Sequence, residues 1–221
     1  MELALDTRLA SPPRSPDALA DTLAELGERV APIALARERT LPVDERLADL
    51  FAERGLVRGR ITSCAGPAAT SLAFSLVAPA VQAGGWLAVV DLPTIGLDAA
   101  GEFGVPLERV VAVDSGGDPQ RWPDVVAAAA DGFDVLLVRV PTELRPAMVR
   151  KLTTRIQQRS AVVVVLGDPG VLGCDGVIQT ETAVWSGVGA GHGHLRERMV
   201  TATATGRRLP GRRRCELALP G

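Results

Sequence analysis

Between Gly59 and Leu166 the apolar residues gather into short continuous runs separated by longer stretches of mixed character. Ile61 to Cys64, Trp86 to Asp91, Arg109 to Val113, Phe133 to Val140 and Ala161 to Leu166 are rich in Val, Leu and Ile and bounded by Gly, Pro or Asp. Continuous apolar runs of this length are the mark of strands buried on both faces. The stretches between them read as helices. One runs from about Pro67 to Gln82, bent at Pro79 and closed by Gly84-Gly85; a short one follows over Gly96 to Gly104, and another over Asp124 to Ala130. A longer one covers Thr142 to Arg159, with Leu144, Met148, Leu152 and Ile156 four apart and Arg145, Arg150, Lys151 and Arg155 on its other face. Buried strands alternating with helices predict a mostly parallel sheet with right-handed crossovers.

The rhythm changes at both ends. After Gly170 it becomes partial alternation of apolar and polar residues over Gly176 to Trp185, Met199 to Thr205 and Cys215 to Leu219, which predicts antiparallel or mixed edge strands. Between these lie two loops, Gly187 to His194 and Gly206 to Arg214. Before the first buried strand, Pro42 with Val43, Leu47, Leu50 and Phe51 predicts a short helix with Gly55 as a left-handed cap. Further upstream, Ser11 to Pro16 is turn-rich. Asp17 then caps a helix to Val30 whose Leu19, Leu23, Leu26 and Val30 form one stripe, packed on its own domain or docking a neighbouring chain. Residues 31–41 read as a linker. The chain therefore divides into an arm, residues 1–40, and a core, residues 41–221.

Composition sharpens this picture. Hydrophobic residues make up 47% of the 221, which excludes a globally disordered chain, while aromatics are only 3%, so the core is built from Val, Leu, Ile and Ala. Net charge is −2, but residues 1–191 carry 24 acidic and 17 basic side chains whereas residues 192–221 carry 2 and 7. A basic segment on an acidic body points to an interaction surface. Cys64, Cys174 and Cys215 are widely spaced and odd in number, as reduced structural thiols are. No apolar run approaches the ~18 residues that span a bilayer, and no secretory leader stands at the N-terminus, so a cytoplasmic protein without a membrane role is expected.

Candidate chemistry centres on Gly59 to Leu76, a strand, a tight turn at Gly66-Pro67 and a helix. That is the frame of a phosphate-binding loop, which needs G-x-x-x-x-G-K-[ST]. Glycine backbone wraps the phosphates, the lysine reaches their β and γ oxygens, and the hydroxyl holds magnesium. Counted from Gly66, those last positions hold Ser71, Leu72 and Ala73, and the chain's single lysine is Lys151. The other strand ends are poorly stocked too. Asp91-Leu92-Pro93 offers one carboxylate that reads as a turn or cap residue. Arg139-Val140-Pro141 stands where a magnesium-organising acid would be, and Gly167-Asp168-Pro169-Gly170 is an ordinary turn. His192 and His194 lack further ligands at useful spacing, so no metal is expected. Arg207, Arg208, Arg212, Arg213 and Arg214 crowd one loop, with Arg196 and Arg198 nearby. They fit a solvated hairpin tip, an acidic protein partner or phosphates, and no aromatic lies close enough to stack bases.

Leu56 to Ile61 leading into Gly66-Pro67 resembles the approach to the phosphate loop of RecA recombinases. Val90-Asp91 with Leu97-Asp98 and Gly104-Val105 resembles the RecA stretch that carries the catalytic glutamate. Met148 to Leu152 running into Val162 to Leu166 resembles the next helix and strand. The resemblance covers about residues 41–219 and implies an α/β, RecA-like, mostly parallel sheet flanked by helices, with antiparallel C-terminal edge strands. Carried over by position, Leu72 replaces the lysine, Pro93 the glutamate and Arg139 the magnesium-binding acid, so a pseudo-ATPase without cofactor is implied. The compact form with Gly191 to Arg198 near its end resembles ImuA proteins, above all their divergent ImuA-prime branch. That resemblance implies a non-catalytic adaptor of damage-induced translesion synthesis and mutagenesis. Its partners would be an ImuB-like Y-family polymerase homologue and, directly or through it, an error-prone DnaE-type polymerase, with a weak DNA contact. Two alternatives stay open: a nucleotide-binding or weak ATPase RecA paralogue relying on Asp91 and Asp98, and a SulA-like cell-division inhibitor.

Overall fold

Six parallel strands, extended at one end by two antiparallel ones, form the sheet that organises this computed structural model. The structure describes residues 39–188 and 193–220, which lie within one compact unit. The expected helix over Asp17 to Val30 and the residue His192 lie outside the described residues.

The chain enters through β1 (Thr40–Leu41), the short helix α1 (Glu45–Ala48) and β2 (Leu56–Val57), which pairs antiparallel with β1. Thr40–Leu41 falls within the expected linker, yet Leu41 is buried and its pairing with Leu56 makes it a strand. A two-residue strand carries too little periodicity to be read from sequence. Asp44 caps α1 by accepting from the Arg46 backbone N–H at 3.0 Å. The left-handed residue after α1 is Arg54, φ 54°, and not Gly55. Gly55 serves close approach instead, since a Cβ there would lie 2.6 Å from the Leu41 carbonyl oxygen.

The parallel units follow: β3 (Ile61–Ala65), α2 (Ala69–Gln82), β4 (Leu87–Val90), α3 (Leu97–Glu102), β5 (Val110–Val113), α4 (Trp122–Gly132), β6 (Val135–Val138), α5 (Pro146–Arg159) and β7 (Val162–Leu166). Then come β8 (Gly176–Val188), β9 (Gly193–Gly206) and β10 (Leu209–Pro220). The order across the sheet is β10-β9-β8-β3-β7-β6-β4-β5. β8, expected at an edge, is interior: it runs parallel to β3 and antiparallel to β9. α5 begins at Pro146, not Thr142. The residue before a proline avoids the helical region, and Arg145 sits extended at ψ 132°.

Alternation divides the strands between two apolar clusters. Cys64, Val89, Val135, Leu137, Val162, Val164 and Ile178 pack with α2 on one face. Ile61, Val90, Leu136, Val138, Val163 and Val165 pack with α4 and α5 on the other. α2 is apolar around most of its circumference, with every residue from Leu72 to Ala78 buried, as a helix enclosed within a core must be. Among the described residues the outer strand β5 pairs only with β4 and leaves Val111 and Ala112 exposed.

Candidate functional site

β3 ends at Ala65, Gly66 turns the chain at φ 98°, and α2 starts at Ala69, two residues later than its expected start at Pro67. The frame of a phosphate loop is therefore present at the carboxyl end of a central parallel strand, where α/β sheets place ligands. The side chains in it point elsewhere. Leu72 and Ala73 are fully buried in the α2 cluster, so the positions where a lysine and a hydroxyl were expected face the core. Pro67 is exposed and has no N–H to offer.

Two backbone donors at the start of α2, those of Ala68 and Ala69, are engaged by the protein itself. Ala68 N–H donates to Thr180 Oγ1 at 3.2 Å, and the same hydroxyl donates to the Ala65 carbonyl at 2.9 Å. Ala69 N–H donates to the Gly66 carbonyl at 3.2 Å. β8 presses on the turn so closely that a Cβ at Gly66 would stand 2.2 Å from the Thr180 carbonyl oxygen. Arg198 on β9 reaches the same turn of helix. Its guanidinium donates to Ser71 Oγ and lies 5.1 Å from the Trp185 ring centroid. Burial lowers the Arg198 pKa below the usual arginine value, and its Nε finds no partner among the described residues.

A cavity of about 390 Å³ lies beside the turn, lined by Gly66, Ala69, Thr70, Arg139, Leu166, Gly167 and Asp168. β6 stops at Val138, so Arg139 has left the strand; it is exposed, with no hydrogen bond or ion pair among the described residues. Asp168 Oδ1 accepts from Gly170 N–H at 2.8 Å, which holds the following turn. Asp91 is also committed to structure. It sits at φ 52°, and its carboxylate accepts from Ser115 N–H at 2.8 Å and Ser115 Oγ at 2.5 Å, joining the ends of β4 and β5. Pro93 is exposed on the rim of a separate cavity at those strand ends.

The arginines expected in one loop are dispersed, because β10 begins at Leu209 and carries Arg212, Arg213 and Arg214 as strand residues past an irregularity in its pairing. Arg213 donates to the carbonyls of Asp49 at 2.9 Å and Phe51 at 3.2 Å, pinning β10 to the turn after α1. Arg214 reaches Thr201 Oγ1 at 3.4 Å and Glu216 Oε1 at 3.3 Å. Arg208, in the turn before β10, pairs with Asp175 at 3.2 Å. Arg207 and Arg212 are exposed, without a hydrogen bond or ion pair among the described residues. Arg196 lies on β9, and its side chain is outside the described residues, as is that of His194. Thr180 and Trp185 were missed by the sequence reading. Thr180 alternates inward beside Ile178, but its partner loop lies 112 residues away, beyond any local pattern.

A largely parallel sheet with a strand–loop–helix turn near its middle and two antiparallel strands at one end is a RecA-like fold. The crystal structure of the RadB recombinase superposes with a TM-score of 0.51 at 14% identity, covering 73% of this chain and 88% of that one, a likeness of fold alone. Residues 49–170, more than half of the chain, match the family described as the MT3502 N-terminal domain, and the chain belongs to that family. It is 35% identical over 99 residues to the uncharacterized protein Rv3395c of Mycobacterium tuberculosis (strain ATCC 25618 / H37Rv). That match takes in 44% of this chain and spans about half of the relative's length, 47%. Among the described residues no helix is long and apolar enough to cross a membrane.

Proposed function

We propose that this protein is a non-catalytic RecA-like adaptor of the ImuA or ImuA-prime type. It would act in damage-induced translesion synthesis and mutagenesis by binding an ImuB-like Y-family polymerase homologue. An error-prone DnaE-type polymerase would join directly or through that partner. The observation that carries the reading is the self-filled phosphate loop. Leu72 occupies the lysine position inside the core, Thr180 takes the Ala68 N–H, and Arg198 bonds to Ser71. Phosphoryl transfer depends on positioned donors and a metal-holding group, and this turn offers neither a lysine nor a free hydroxyl at the required places. What remains useful in such a fold is surface, and the exposed arginines of β10 and its preceding turn supply part of it. Co-purification with the ImuB-like protein tests the proposal. The chain is expected to retain that partner without nucleotide, and failure to retain either it or the polymerase overturns the reading.

One observation favours the second reading, a RecA paralogue that binds nucleotide. Arg139, without an ion pair among the described residues, is a cation on the cavity beside Gly66 and Thr70. In that case Mg-ATP or ADP stabilises the fold, and Arg139→Ala removes the effect.

A further inference from the structure

At the end of the sheet opposite the arginines, β4, β5 and α3 enclose an apolar cavity of about 530 Å³ that opens to the surface. Val89, Leu92, Ile95, Leu97 and Ala112 supply its apolar wall, while Asp91 and Asp114 stand on it as carboxylates. Leu97 remains 38% exposed although it lines the cavity. Leu107, 41% exposed, lies beside the same short helix, its Cδ1 3.8 Å from where a Cβ on Gly101 would be. Exposed apolar residues around a concavity, on a strand paired on one side only among the described residues, mark a surface that gains by being covered.

The charge around the cavity specifies what covers it. Residues 91–121 hold six carboxylates (Asp91, Asp98, Glu102, Glu108, Asp114 and Asp118) against two basic residues, Arg109 and Arg121, the latter with its Nη1 4.0 Å from where a Cβ on Gly116 would be. No ion pair among the described residues involves any of the six. Arg109 is spent elsewhere, donating to the Gly84 carbonyl at 2.7 Å and lying over the Trp86 ring at 5.6 Å. Asp98 and Asp118 each adjoin a lining residue, Leu97 and Gly117, and both are exposed. Ion pairing satisfies eight arginine contacts across the rest of the described chain but none here.

We propose that this cavity is a docking site for a partner protein segment that inserts an apolar side chain between α3 and β5 and sets flanking arginine or lysine residues against Asp114, Asp118 and Asp98. The apolar wall supplies affinity by desolvation, and the carboxylates supply orientation and speed of encounter. The site lies at the strand ends of β4 and β5, apart from the phosphate-loop turn, so it does not rest on the adaptor reading or on any nucleotide.

Fluorescence anisotropy with the full chain tests it, using a labelled peptide of alternating leucine and arginine as probe. Two control peptides replace leucine by serine or arginine by glutamate. The leucine–arginine probe is expected to bind, with affinity reduced about tenfold or more by Ala112→Arg, which fills the cavity, and by Asp114→Lys, which reverses its rim. Each control is expected to bind at least about tenfold more weakly. Thermal melts of the two variants report whether they are folded, since Asp114→Lys also removes the bond that Asp114 Oδ1 accepts from Gly116 N–H at 2.7 Å. Equal affinity for the serine–arginine control makes the attraction bare charge and overturns the proposal, as does binding that both variants leave unchanged. Self-association in sedimentation that Ala112→Arg abolishes makes the occupant a second copy of this chain and also overturns it.

Discussion

Gly66 carries two constraints at once. Its φ of 98° lies in the left-handed region, and the Thr180 carbonyl fills the space where a side chain would begin. Gly66→Ala is expected to cost about 3 kcal/mol, read from the urea midpoint, because backbone strain and a backbone clash add. An unchanged midpoint would contradict the packing of β8 on this turn. Cys64, two residues before it, is fully buried, and burial pushes its thiol up to about 12 from an ordinary 9.0. The folded state therefore keeps the proton while the unfolded chain releases it. The stability this proton-bound thiol contributes is whole below pH 9.0 and erodes as the pH rises toward 12. The stability gap between the parent and Cys64→Ala is expected to narrow from pH 7 to about pH 10. In the same state Cys64 resists thiol reagents until the protein unfolds.

At the scale of elements, α1 is four residues long and depends on what holds its ends. Asp44 accepts from Arg46 N–H and from its guanidinium, and that bond holds the Asp44 carboxyl below the usual carboxylate range. Asp44→Ala is expected to cost about 1 kcal/mol near neutral pH. The sign follows from the lowered folded pKa: the increment is present above the ordinary carboxylate range and vanishes as the pH falls through the lowered value. Parent and variant melts should converge in acid, and a gap that persists there would contradict the assignment. On β10 and the turn before it, Arg207 and Arg212 are the arginines without a hydrogen bond or ion pair among the described residues. If the weak DNA contact exists it runs through them, and Arg207→Ala with Arg212→Ala is expected to lower the salt slope of DNA retention by about two counterions. The parallel strands were legible because β-branched runs such as Val162 to Val165 are buried on both faces and leave an unbroken apolar signature. The course of β10 was not, since Pro210-Gly211 reads as a turn, and only pairing with β9 on either side of it, at Leu209 and from Arg213 onward, makes the segment one strand. The placement of Thr180 and Arg198 at the loop was equally hidden, because both are brought there by sheet pairing between distant segments.

Across the whole molecule, the sheet is polarised. The β5 end is surrounded by carboxylates without ion pairs among the described residues and by an apolar cavity, whereas the β10 end presents arginines. Between them lies a phosphate-loop frame in which the Ala68 and Ala69 N–H groups serve the fold. A RecA-like sheet whose two ends differ in charge would, with its centre chemically closed, be suited to joining partners. The adaptor proposal requires that closure, and calorimetric titration of the full chain with Mg-ATP, ADP and a non-hydrolysable analogue measures it directly. The account predicts no heat of binding and no rise in melting temperature with any of the three. Binding accompanied by ATP turnover would contradict it.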